Sequence, residues 1–117
     1  MKATHIRAFV PCKDYQVSQA FYQALGFRLE FVSDEMMLAE LGQCSLFLQR
    51  YYQTQWADNF MLQIMVDDIQ DALETITSIR IPQIRYEGIR HERWGKVIYL
   101  WGPSGELLHI TQLNPID

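Results

Sequence analysis

A pattern that occurs twice constrains this 117-residue chain more than any single motif. HIRAFVP, His5–Pro11, alternates: Ile6, Ala8 and Val10 point one way and His5, Arg7 and Phe9 the other, the period of a half-buried strand. Fifty-six residues later the run FMLQIMV, Phe60–Val66, repeats the step, with Met61 and Val66 standing where His5 and Val10 stood. Each run leads into apolar residues at helical spacing: Val17, Ala20, Phe21, Ala24 and Leu25 in the first case, Ile69, Ala72, Leu73, Ile76 and Ile79 in the second. Asp14 is placed to cap the start of the first helix and Gly26 its end. Three short apolar runs follow each helix. They are FRLEFV, MMLAEL and CSLFLQR, then PQIRYEG, KVIYLW and ELLHITQL.

The chain therefore reads as α+β, a single domain over residues 1–117 built from two strand-helix-strand-strand-strand modules. The first covers about residues 4–50 and the second about 60–114, joined by YYQTQWADN, residues 51–59, read as a linker. Identity between the halves is slight, so the repeat is one of pattern. A module with one helix covers one face of its sheet and leaves the other for a partner half or a ligand.

Alternation sorts the faces. Ile6, Ala8, Val10, Leu46, Leu48, Leu62, Ile64, Val66, Ile98, Leu100, Leu108 and Ile110 are expected under the helices. The open faces then hold His5, Arg7, Phe9, Phe47, Gln49, Gln63, Met65, Tyr99, Trp101, His109 and Thr111. This aromatic, amphipathic set suits a planar or amphipathic organic ligand, with Arg7 able to pair an anionic group. A partner chain covering part of the same surface would also account for it, because interfaces favour Tyr, Trp, Met and Arg.

Hydrophobic residues make up 49% and charged residues 21%, enough for a real core. The net charge of −4 disfavours a nucleic-acid partner, and the basic stretch Arg80–Lys96 is interleaved with Glu87 and Glu92. Cys12 and Cys44 lack metal-type spacing and suit free thiols in a reducing compartment. Neither a signal-peptide core nor a membrane-spanning run appears, so the expectation is a cytoplasmic protein with no membrane partner. GPSG, Gly102–Gly105, has Pro and Gly at the second and fourth positions of a type I turn. HERWG, His91–Gly95, reads as a loop whose Trp94 could close over a ligand.

AFYQALGF near the end of the first helix and GPSGELLHI late in the chain carry a resemblance to the vicinal oxygen chelate superfamily. It spans about His5 to Leu113. That group includes glyoxalase I, bleomycin-resistance proteins, fosfomycin-resistance transferases and extradiol dioxygenases. The resemblance implies two βαβββ modules whose curled mixed sheets form an open cup for a ligand or metal, and a homodimer. The positions at which metal-using members carry ligands match His5, Phe47, Met61 and His109 here. Only the two histidines coordinate readily: Phe47 has no donor and Met61 offers a soft thioether. A catalytic site needs about three protein ligands, so no metal or other cofactor is expected. The leading expectation is a metal-independent binding protein of the bleomycin-resistance type, with a small-molecule ligand among Phe9, Phe47, Trp94, Tyr99 and Trp101. The alternative is a metal-dependent lyase, isomerase or dioxygenase using Zn, Ni, Mn or Fe through His5 and His109. A third is metal-free catalysis with His109 or Tyr99 as acid or base. The −4 charge favours a cationic ligand and Arg7 an anionic one, and the sequence leaves both open.

Overall fold

The computed structural model describes residues 1–115. The first module runs β1 (Phe9–Pro11), α1 (Tyr15–Leu25), β2 (Arg28–Ser33), β3 (Met36–Leu41) and β4 (Cys44–Gln49). After a short helix, α2 (Thr54–Ala57), the second runs β5 (Met61–Met65), α3 (Ile69–Thr77), β6 (Arg85–Tyr86), β7 (Arg90–Glu92), β8 (Gly95–Trp101) and β9 (Leu107–Leu113). The expected α+β architecture of two βαβββ modules is present.

Each module keeps its own mixed sheet, and the two share one topology. The first has the order β1-β4-β3-β2 and the second β5-β9-β8-β6, with β7 also on β8. In both, the opening strand lies parallel to the last strand of its own module and the remaining pairs are antiparallel. A parallel pair needs a long crossover, which the helix and two intervening strands supply.

Local chemistry sets the helix ends as expected. Asp14 accepts a 3.2 Å hydrogen bond from Val17 N, and Gly26 takes φ 112°, a left-handed value that only glycine adopts freely. At the second helix the Asp68 carboxylate accepts from Gln70 N and Asp71 N, while Ile69 N donates to the Gln112 side chain of β9 at 2.8 Å. One continuous core holds Val10, Phe21, Tyr22, Leu46 and Leu48 of the first module with Ile69, Ile76, Ile98, Leu100, Leu108 and Ile110 of the second. Burying each such large side chain contributes about 1.5–3 kcal/mol.

Four expectations change. The first strand is shorter than HIRAFVP, because regular pairing with β4 begins at Phe9↔Phe47. Ile6, expected under α1, is 92% exposed, since the chain upstream of Phe9 passes beyond the cover of the helix. The segment 51–59 carries α2, whose Ala57 is fully buried. PQIRYEG yields only Arg85–Tyr86, and HERWG is half strand, with His91 opposite Lys96 and Glu92 opposite Gly95. The residues Glu87–Ile89 interrupt what is otherwise one edge strand along β8, and the register slips across them. Among the described residues no helix is long and apolar enough to cross a membrane.

Candidate functional site

The open face of the second sheet is assembled by strand register. Tyr99 lies opposite His109 and Trp101 opposite Leu107; β5 adds Met61 and Gln63 beside Leu107 and His109. Directly paired residues share a face, so Arg85, opposite Trp101, joins the same surface. The His109 ring meets Tyr99 edge-on, with centroids 5.0 Å apart and planes at 75°. The Arg85 guanidinium lies 3.8 Å from the Trp101 ring centroid and that of Arg90 5.7 Å from Tyr99. Tyr99, Trp101 and His109 are half-buried, anchored in the sheet and open to solvent on one side.

Thr111, placed among the ligand contacts by alternation, is corrected. It shares this face with Val97, but both are fully buried. Gln63 lies over Thr111 and donates to its Oγ1 at 3.4 Å, and the Thr111 hydroxyl in turn donates to the His109 carbonyl at 3.2 Å. Gln63 and Met65 remain exposed.

The open face of the first sheet is smaller. Phe9 and Phe47 stack at 5.0 Å with planes 26° apart. Arg7 donates from Nε to Ser45 Oγ at 2.9 Å and lies 5.7 Å from the Phe47 centroid. Gln49 sits opposite Pro11 on the same side. His5 and Arg7 also line a polar cavity of about 470 Å³ with Glu40 and Cys44. The candidate residues thus fall into two groups, one on each sheet. Trp94 joins neither: it stands at the β7–β8 turn, held by Asn114, whose N and Nδ2 donate to the Trp94 and Arg93 carbonyls. At about 3.3 Å per residue it is roughly 20 Å along β8 from Trp101.

The four positions matched to metal ligands are distributed over both modules. His5 precedes the first sheet's edge strand and His109 lies within the second sheet. Phe47 is occupied in its stack with Phe9, and Met61 offers only an exposed thioether. Among the described residues no three His, Cys, Asp or Glu are grouped to hold an ion.

A cavity of about 790 Å³ lies on the helix-bearing side instead. Ile6, Ala8 and Leu46 line it from the first module, Leu62, Ile64, Ala72 and Ile76 from the second, with Asp68 and Asp71 among its polar lining. Of the candidates chosen by alternation only Gln63 and Met65 border it. The reason is topological: β1 and β5 are edge strands whose apolar faces the helices cover only in part.

Sequence reasoning also missed a buried polar cluster joining the modules. The Glu106 carboxylate is fully buried, accepting from Tyr22 Oη at 2.8 Å and from Ser104 N at 2.9 Å. Ser104 Oγ accepts from Lys13 N at 2.7 Å and lies 3.5 Å from Ser18 Oγ. Burial pushes the Glu106 carboxyl above its ordinary value, against the lowering effect of its hydrogen bonds, and holds the Tyr22 phenol well above its own. Burial likewise raises the Cys12 thiol to about 11. The only signal in the sequence was an acid directly after GPSG, whose burial no spacing reveals. Tyr22, Ser18, Ser104 and Glu106 are all buried, and their hydrogen bonds join the two modules.

Paired βαβββ modules with aromatic open faces define the α+β architecture. Solved structures share it closely. A bleomycin-binding protein in complex with bleomycin superposes with a TM-score of 0.79 over 96% of this chain and 100% of its own, at 21% identity. TnmS3, an antibiotic-binding protein from a Streptomyces species, gives 0.79 over 97% and 99% at 19% identity. Lactoylglutathione lyase from Agrobacterium tumefaciens gives 0.70 over 95% of each chain at 13% identity. The fold is therefore the one these structures share, as the resemblance carried by AFYQALGF and GPSGELLHI implied. No family model and no curated protein matches the sequence.

Proposed function

We propose that this chain is a metal-independent binding protein of the bleomycin-resistance type, sequestering an aromatic or amphipathic small molecule in a cup completed by a second copy of itself. One observation carries the reading: the open face of the second sheet presents Tyr99, Trp101 and His109 in a fixed, half-buried aromatic cluster. Sequestration asks for stacking surface and a few polar contacts and needs no nucleophile or metal. The bleomycin-binding and antibiotic-binding neighbours in fold support it. Homodimer formation is supported by the apolar residues left outward on the open faces, with Met61 62%, Met65 64% and Phe9 48% exposed.

Isothermal titration with bleomycin and with planar polycyclic antibiotics, beside thermal-shift titrations with Zn, Ni, Mn and Fe(II) salts, tests this. The expected result is saturable binding of at least one aromatic compound and no stabilisation by metal. Stabilisation by a stoichiometric metal, lost in the His5→Ala/His109→Ala double variant, overturns it in favour of a metal-dependent lyase, isomerase or dioxygenase.

A further inference from the structure

We infer that the cup selects a planar aromatic acid, an anion whose carboxylate or sulfonate is held by arginines lying flat on the aromatic rings of the second sheet. The inference rests on the binding reading above and adds the charge of the ligand.

The geometry is specific. Arg85 and Trp101 are direct cross-strand partners, and the guanidinium sits 3.8 Å from the indole centroid. A stacked guanidinium uses its face, so its N–H edges stay free, and stacking removes the rotamer freedom that a surface arginine otherwise loses on binding. No side-chain hydrogen bond or ion pair among the described residues engages the Arg85 guanidinium. Arg90, over the neighbouring Tyr99, has only Glu87 at 3.9 Å, the outer limit of an ion pair. His109 lies against the same Tyr99. An aromatic acid entering here meets two forked donors, with the edges of Trp101, Tyr99 and His109 beside its ring.

Glu87 reaches toward Arg90, Glu92 is paired across to Gly95 near the far end of β8 from Trp101, and Asp58 approaches the turn after Trp101 at Gly105. No ion pair among the described residues joins any of them to Arg85. On the first sheet the pattern recurs: Arg7 lies over Phe47, while its row neighbour Glu40 is taken up by Arg28 at 2.7 Å. The net charge of −4 is a property of the whole surface. At physiological salt it is screened beyond about 8 Å, so the arginines in contact with the ligand decide the sign.

Titration calorimetry with three matched probes tests the inference: anthraquinone-2-carboxylate, its neutral carboxamide and its cationic aminomethyl analogue. The acid is expected to bind about tenfold more tightly than the amide, the gain of a charge-assisted bidentate pair at a partly exposed site. Arg85→Gln abolishes the preference, so that acid and amide bind this variant equally; Arg85→Lys, with its charge but without the planar fork, restores the acid-to-amide ratio in part. Arg90→Gln, also exposed, gives the smaller loss. Equal or tighter binding of the amide or the cation overturns the charge assignment while the binding reading stands. Absence of binding by all three, with the protein folded by circular dichroism, overturns both, as it would if a second copy covered the Trp101 face completely.

Discussion

The Tyr22 phenol of α1 donates a 2.8 Å hydrogen bond to the buried carboxylate of Glu106, eighty-four residues further along the chain. This bond ties the first module's helix to the turn that opens the last strand of the second. Removing one partner of a buried pair leaves the other undersolvated. Tyr22→Phe is accordingly expected to cost about 1–3 kcal/mol of unfolding free energy, read by urea denaturation with an unchanged denaturant slope.

The same carboxyl predicts a pH dependence. Burial raises its folded-state pKa above the unfolded value near 4.5. Its contribution to stability is then full below pH 4.5 and is lost as the pH rises through the raised folded value. Glu106→Gln, whose amide can serve both Ser104 N and Tyr22 Oη, should flatten this fall. Denaturation midpoints of both proteins from pH 4.5 upward compare the slopes, and parallel slopes would contradict the assignment.

Gly102 should be intolerant of any side chain. A Cβ there would stand 2.5 Å from Glu106 Cδ and 2.7 Å from both carboxylate oxygens, a group held by Tyr22 and Ser104 and unable to step aside cheaply. Gly102→Ala is expected to destabilise by about 1–3 kcal/mol. Gly88→Ala, in open space, is the control and should be near neutral in thermal melts.

The two thiols should react very differently. Cys44 is exposed; Cys12 is buried, donates to the Val10 carbonyl at 3.4 Å and has a thiol pushed up to about 11. Since the thiolate is the reactive form, iodoacetamide at neutral pH should label Cys44 alone by mass spectrometry. Cys12 should join only in denaturant.

Self-association should depend on the open faces. Met65→Lys places a charge at a position already 64% exposed in the protomer, so folding should be unaffected. Sedimentation velocity should then show a shift toward monomer relative to the unaltered chain.

Much of this was legible in the residues. The period-two and helical patterns placed α1 and α3, the caps of α1 at Asp14 and Gly26, and strands β2 to β5, β8 and β9, because those elements bury one face and expose the other. Alternation also put Tyr99, Trp101 and His109 on one surface. It failed where position along an element matters as much as face. Ile6 has the phase of a core residue but lies beyond the helix that would cover it, and Thr111 has the phase of a cup residue but lies beneath Gln63. Glu106 was passed over because a buried carboxylate is recognisable only by its partners, and Tyr22, Ser104 and the space at Gly102 come together solely in three dimensions. The stacked arginines depend on the register of the interrupted β6–β7 edge, which sequence spacing does not specify.

The cluster around Glu106 also bears on how the chain acquires its fold during synthesis. Lys13, Ser18 and Tyr22 emerge 84 to 91 residues before their partners Ser104 and Glu106. Both parallel strand pairs impose the same delay within their modules, since β1 waits for β4 and β5 for β9. Loop closure over such separations is slow relative to helix formation. Until the closing hairpin docks, the hydroxyl groups of Ser18 and Tyr22 stay hydrated, and the bonds that join the two halves form only once Ser104 and Glu106 have arrived.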